Sequence, residues 1–317
     1  MNEIVNIIKN NDTFNLYMHV SPDGDAIGSA VALHAALLYL GKNSTLICDD
    51  VPAAHYSFMF EKYGILIPEK AKSVPVSIAI DCADFKRMGR GKSLFEKSAV
   101  TVNIDHHLSN PEYATYNHIE GNASSTGEII SELIKMLGVP FDLEIATNLY
   151  VAISTDTGSF AYSNTTPKCH ILAAEFIELG VDVARLSSQL QNSRSLEKTR
   201  LISLAISKLE LFFNEKVGLI YIELSDMAAL GVKPEDCESI VDYIRDIDTV
   251  EVAIFIREIN SKKFKISMRS KLYADVGSIA QSYGGGGHVR AAGFSVAGEY
   301  DRVKIELLSS VEGILNE

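Results

Sequence analysis

His19, Asp23 and Asp25 stand within seven positions of one another in HVSPDGDAIGSA, between the apolar runs FNLYMHV and AVALHAALLYL. An ordinary strand-to-helix turn needs one polar cap at most, so two carboxylates and an imidazole there suggest chemistry. Three more polar clusters end apolar runs. Asp81 follows VSIAI, Asp105, His106 and His107 follow VTVNI, and Asp156 closes LEIATNLYVAIST just before Gly158. Singly, each has a structural explanation as a cap or a satisfied core histidine. Brought to one crevice, four carboxylates and two or three imidazoles would repel and desolvate one another unless cations lay between them.

Ionised Asp23, Asp25, Asp81 and Asp156 balance two divalent ions. A carboxylate shared between two ions holds them ~3.5–4 Å apart, the spacing that clamps a phosphoryl group and generates a hydroxide nucleophile. Carboxylates with a minority of imidazoles suit Mn2+, two per subunit; zinc, iron or cobalt also fit, and magnesium fits less well.

The elements that would carry these residues alternate. Strand-like runs (FNLYMHV, STLICD, VSIAID, VTVNID) are separated by helical patterns through about residue 185. This predicts an α/β fold with a parallel sheet and helices on both faces, whose strand carboxyl ends form the ligand crevice. A helical linker is expected over residues 186–215. A smaller α+β domain is expected over 216–317, with strands in VGLIYIEL, VEVAIFIREI and KFKISMRS and a loop GGGGHVRAAGF. The first domain is accordingly 1–185.

Composition narrows the partners. The 317 residues include 41 acids against 29 basic residues, a net charge of -12, which disfavours long nucleic acid held by many phosphate contacts. Cys48, Cys82, Cys169 and Cys237 form no C-x-x-C pair. The beginning MNEIVNIIKNND has no signal-peptide pattern, and no apolar stretch reaches the ~20 residues needed to span a bilayer. The expectation is a cytoplasmic protein without a membrane partner; a homodimer stays open.

HVSPDGDAIGSA, DCADFKRMG, NIDHHLSN and STDTGSF resemble, in order, the four motifs of the DHH phosphoesterase superfamily, and KISMRS with GGGGHVRAAGF resembles its DHHA1 companion domain. In length and motif wording the chain is similar to the bacterial oligoribonuclease and pAp phosphatase (nanoRNase) branch. The resemblance implies that His19, Asp23 and Asp81 hold one manganese, and that Asp25, Asp81, His106 and Asp156 hold the other, with Asp81 bridging. It implies that His107 lies beside the substrate phosphate as ligand or proton donor and that Asp105 orients the site. Asp84 and Arg87 are read as a turn cap or a surface ion pair. Ser125 to Glu128 reads as a capping box. His34, His55, His118 and His170 match no motif and are read as structural or exposed.

Between residues 251 and 294 seven basic residues face three acids, a local balance of +4 in an acidic chain. Glycines 284–287 let a backbone approach a phosphate or ribose closely. By resemblance, Arg269, Ser270, Gly286, Gly287 and His288 bind the terminal nucleotide. A catalytic centre in one domain and a nucleotide clamp in the other would select short substrates, with a hinge about 186–215 setting access.

The implied activity is metal-dependent hydrolysis of very short RNA, dinucleotides above all, to mononucleotides, and of pAp to AMP. Hydrolysis of cyclic or linear dinucleotides in second-messenger turnover is the competing enzyme reading. A non-catalytic nucleotide-binding protein is the competing class, disfavoured because each motif retains its metal-ligating residue.

Overall fold

The computed structural model describes residues 1–190, 195–237 and 239–315. The chain divides into two compact units, Met1–Ser193 and Arg194–Glu317.

In the first unit, β1 (Thr13–Tyr17), β2 (Asn43–Ile47), β3 (Val76–Ile80), β4 (Val100–Asp105) and β5 (Tyr116–Ile119) form one parallel sheet in the order β2-β1-β3-β4-β5. Its helices are α1 (Asn2–Asn10), α2 (Gly24–Tyr39), α3 (Ser57–Phe60), α4 (Lys92–Phe95), α5 (Thr126–Met136), α6 (Leu143–Asp156), α7 (Pro167–Glu178) and α8 (Val183–Leu190). Strand alternation sorts the two faces. Phe14, Leu16, Ile78, Ile80, Val102 and Ile104 join the large core with α2, α5 and α6. Tyr17, Ala79 and Ile47 turn to a smaller core with Met88 and Phe95. The sheet is thus covered on both faces, as the alternation predicts, but the second cover is a 3-10 turn (Phe85–Gly91) and the short α4.

The strand order reverses direction beside β1. The chain moves one way from β1 to β2, then crosses to β3 on the other side. In such sheets the crevice opens at the carboxyl ends of the strands flanking the reversal, here β1 and β3. His19 follows β1 and Asp81 follows β3.

Close helix packing brings further residues to that edge. A Cβ on Gly28 would lie 2.4 Å from the Asn148 carbonyl oxygen, and one on Gly127 would lie 2.6 Å from the Ala152 methyl. Glycine at these two positions lets α2, α5 and α6 approach nearly backbone to backbone. Gly28→Val is therefore expected to destabilise the protein by about 1–3 kcal/mol through overpacking and to lower hydrolysis by displacing Asp156 from Asp25; urea unfolding and an activity assay read both.

In the second unit, β6 (Glu210–Phe212), β7 (Val217–Ile222), β8 (Val252–Asn260), β9 (Lys263–Ser270), β10 (Gly286–His288) and β11 (Ala291–Ala297) form a mixed sheet in the order β10-β11-β9-β8-β7-β6, parallel only between β7 and β8. Helices α9 (Leu196–Ser207), α10 (Leu224–Leu230) and α11 (Ile240–Arg245) cover one face, and α12 (Val276–Ser282) and α13 (Tyr300–Leu315) the other. The expected glycine loop is in fact a hairpin, β10 pairing with β11. A 3-10 turn (Pro234–Cys237) precedes α11.

Of the segment expected as a linker, residues 186–190 end α8, while α9 and β6 fall in the second unit; residues 191–194 lie outside the described residues. Among the described residues no helix is long and apolar enough to cross a membrane.

Candidate metal centre

Asp23, not Asp25, caps α2: its Oδ1 accepts from the amides of Asp25 and Ala26, both at 3.1 Å. Asp25 is thereby freed to point across the helix. Its carboxylate accepts from the amides of Thr126 (2.7 Å) and Gly127 (2.8 Å) at the start of α5 and from the Ser29 hydroxyl (3.0 Å). A helix N-terminus suits a carboxylate, yet Asp25 is fully buried. Its carboxyl is held well above the ordinary carboxylate range by burial, then by the charges of Asp81, Asp156 and Asp23.

Asp81 lies at the centre. It sits in the left-handed region (φ 56°), sparsely populated except by glycine, asparagine and aspartate. This turns its buried carboxylate between histidines. His19 Nε2 lies 3.6 Å away, His106 Nε2 3.7 Å and His107 Nδ1 3.7 Å, while the Thr126 hydroxyl donates to Oδ1 at 2.9 Å.

Around it are two further sets of donors. His19 Nε2 also faces Asp23 Oδ2 at 3.7 Å, and His106 Nε2 faces Asp25 at 3.9 Å and Asp156 at 3.5 Å. Burial, the largest influence on His19, lowers its pKa, but Asp23 and Asp81 together outweigh it and raise the imidazole to about 9. Burial foremost pushes Asp156 up to about 6.

Asp105 and His107 form a tighter pair. The fully buried Asp105 accepts from His107 Nδ1 at 2.8 Å, from the His106 amide at 2.9 Å and from the Asn110 side chain at 2.6 Å. Donation to Asp105 raises the pKa of His107. Asp105 itself is lowered, since its hydrogen bonds from His107 and Asn110 outweigh burial.

The donor chemistry fits divalent metal. His19, Asp23 and Asp81 form one group of potential ligands, Asp25, His106 and Asp156 a second, and Asp81, His106 and His107 a third, the donor atoms within each lying within 4.8 Å of one another. Spacings of 3.5–3.9 Å are too long for good hydrogen bonds. They suit oxygen and nitrogen donors facing a common cation with bonds of ~2.0–2.2 Å.

Several neighbours escape the sequence. Arg87 is exposed but makes no simple surface ion pair: its guanidinium lies 2.9 Å from His19 Nδ1, which also faces the Val20 carbonyl at 2.8 Å. Asp84 does cap, accepting from the Lys86 amide. Ser125 caps α5, but Glu128 passes over it to accept from the amide and hydroxyl of Ser124. The segment read only as a cap also holds Asp25 and Asp81 through Thr126 and Gly127. Asn164 donates to the Asp156 carbonyl at 3.0 Å and to the Ser124 carbonyl at 2.8 Å. A cap pattern carries no sign of a second use, and Asn164 belongs to no recognisable spacing.

The histidines outside the motifs serve packing. His34 Nδ1 lies 2.6 Å from the Ser44 hydroxyl, His170 stacks on Phe160, His118 meets the Met1 amino group, and His55 packs against Tyr56.

The residues expected to bind nucleotide gather in the second unit. Arg269 on β9 pairs with Ala291 of β11, whose other neighbour is His288 of β10. Gly286 and His288 are exposed, and Gly287 (φ 144°) lies so near β11 that a Cβ would meet the Ala291 carbonyl at 2.4 Å. Ser270 is buried, and its hydroxyl has no hydrogen-bond partner among the described residues. Arg269 Nε lies 3.6 Å from Asp242.

Comparison with known proteins places these units. Residues 13–153 match the DHH family, N-terminal domain, and residues 216–317 match the DHHA1 domain. The bifunctional oligoribonuclease and PAP phosphatase NrnA of Thermus thermophilus is 33% identical over 90% of this chain and 86% of its own. The protein of that name from Bacillus subtilis is 26% identical over 96% of each. An exopolyphosphatase-related protein from Bacteroides fragilis, 24% identical, shares the fold with a TM-score of 0.91, covering 98% of this chain and 95% of that one. The chain belongs to the DHH family, its DHH domain followed by a DHHA1 domain, and is a phosphoesterase.

Proposed function

We propose that the protein is a manganese-dependent hydrolase of very short RNA, converting dinucleotides to mononucleotides, and of pAp, releasing AMP. The observation that carries this reading is the convergence of three donor groups, two of them sharing Asp81. The names of the Thermus and Bacillus relatives support the substrate class.

In this reading His19, Asp23 and Asp81 hold one ion, and Asp25, Asp81, His106 and Asp156 the other. Two bound divalent ions would acidify a water and neutralise charge developing on the phosphoryl group. The protein's own groups set the rest. Thr126 and the α5 amides hold Asp81 and Asp25 in place. His107, with Nδ1 committed to Asp105, keeps Nε2 for a phosphate oxygen and can supply a proton to the leaving oxygen. We assign recognition of the terminal nucleotide to Arg269, Ser270, Gly286, Gly287 and His288.

Asp105→Asn separates the roles of that pair. It should lower kcat by about 10–100-fold, as loss of an orienting partner does. Because Asp105 raises the pKa of His107, the alkaline limb of kcat should move to lower pH. An unmoved limb would remove His107 from the proton step.

The substrate test is a panel of RNA dinucleotide, long single-stranded RNA, pAp, a cyclic dinucleotide and pyrophosphate, with manganese and with chelator. Manganese-dependent cleavage favouring the dinucleotide and pAp is expected. Preference for the cyclic dinucleotide or for long RNA would replace the proposed substrate.

A further inference from the structure

His19 Nδ1 has two claimants. The Val20 carbonyl lies 2.8 Å from it and the Arg87 guanidinium 2.9 Å. A carbonyl oxygen only accepts and a guanidinium only donates, so one ring nitrogen can serve either but not both. Ligation of an ion through Nε2 decides between them. A neutral imidazole that gives its Nε2 lone pair to a metal carries its proton on Nδ1, and a metal-bound histidine ordinarily donates that proton to a carbonyl or carboxylate. Val20 is then the partner, and two donors, Arg87 and Nδ1–H, face each other at hydrogen-bond distance. With metal on Nε2, Arg87 has to turn away from His19.

Nothing else holds its guanidinium. The residue is exposed, and the group makes no ion pair and no further hydrogen bond among the described residues. Arg90, on the same 3-10 turn, differs, being tied to both Asp49 and Glu69. The base of the Arg87 side chain, by contrast, is fixed. Its carbonyl accepts from the Val20 amide at 2.7 Å, and its neighbour Met88 is buried in the smaller core with Tyr17 and Phe95. An anchored stem and a released guanidinium, one imidazole ring away from Nε2, bring five N–H donors within a side chain's swing of whatever binds at that ion.

Charge selects the ligand. Asp23, Asp25, Asp81 and Asp156, once ionised, cancel two divalent ions, so those carboxylates leave no surplus positive charge for an anion. A planar guanidinium matches two oxygens of a phosphoryl group in a bidentate pair. We propose that Arg87 is a phosphate-binding residue, held on His19 in the metal-free protein and released by metal ligation to grip the phosphoryl group on the His19 side of the site. The proposal rests on the metal assignment above and is independent of which nucleotide is the substrate.

The test is calorimetry on the full chain, first with manganese and then with inorganic phosphate titrated into the manganese-loaded protein. The parent should bind phosphate with manganese and not with chelator. Arg87→Met keeps an unbranched apolar stem at an exposed position; it should take up manganese like the parent and bind phosphate about tenfold more weakly, the loss of one charge-assisted bond. Phosphate affinity in Arg87→Met equal to the parent's, or parent phosphate binding that is absent or indifferent to chelator, would overturn the proposal. So would manganese affinity that falls with phosphate affinity in Arg87→Met, which would make the arginine a support for His19. Each of these leaves the metal assignment standing, whereas a parent that binds no manganese would overturn both.

Discussion

Asp81→Asn should lose at least about a thousandfold in hydrolysis while the metal-free protein melts higher than the parent. The loss follows from position: Asp81 takes part in two of the three donor groups, and removing one charge-stabilising group from a preorganised site already costs about 10²–10³-fold. The gain follows from electrostatics. After burial, the Asp81 charge is the largest cause holding the Asp25 carboxyl out of its ionised form, so removing it relieves a repulsion that only a cation otherwise offsets. Asparagine suits the test because it tolerates φ near 56° and its Oδ1 can still accept from Thr126. Each kcal/mol relieved should raise the melting temperature of a unit this size by about 2–4 °C. A variant that is inactive and less stable would make Asp81 a structural residue rather than a ligand.

The second large effect is on stability against pH, with and without metal. In the metal-free protein Asp25 and Asp156 have raised pKa values, Asp156 at about 6, and His19 is raised to about 9. The signs agree. An acid or a histidine raised on folding makes the native state bind more protons than the unfolded one, so its contribution is present below the unfolded pKa and lost as pH rises through the folded one. With unfolded values near 3.8 and 6.5, the metal-free melting temperature should fall between about pH 4 and pH 9, most clearly above pH 6.5, where His34 and His118, lowered by burial, no longer act in the opposite sense. Asp105, lowered on folding, acts in the opposite sense but below this window. Manganese at a hundred times its Kd adds about 2.7 kcal/mol and replaces the bound protons, so it should lift the curve most at high pH. Melting curves with chelator and with manganese would show this as convergence at acid pH and separation at alkaline pH. Parallel curves would mean that the metal does not compete for these protons.

Much of the fold was legible because strand and helix periods alternate cleanly. VSIAI and VTVNID are β3 and β4, and the reversal beside β1 follows once the order is known. β5 was not legible: YNHI is short, half-buried throughout and shows no alternation, its polar Asn117 and His118 being adjacent. The polar residues Asn15, Ser77 and Asn103, buried on the second face of the sheet, likewise look like exposed positions in the sequence. They are satisfied by tertiary partners such as the Lys72 carbonyl, Ser98 and Asn110.

The donor residues stood out because several carboxylates at strand ends have no joint explanation as caps. Their supports did not. Thr126 and Gly127 act through one hydroxyl and two amides hidden inside a cap motif, and Arg87 reaches His19 across sixty-eight positions in sequence. Glycine 28 reads as a poor helix residue, and only the contact with Asn148 reveals why a side chain there would separate α2 from α6.

Diffraction from manganese-soaked crystals, with anomalous maps calculated at the manganese edge for the parent and for Asp81→Asn, tests the metal assignment most directly. The account predicts two peaks in the parent, one contacted by His19 and Asp23, the other by Asp25, His106 and Asp156, with Asp81 touching both, and loss of at least one in the variant. A parent with no peak at these residues, or with peaks that leave Asp81 uncontacted, would contradict it.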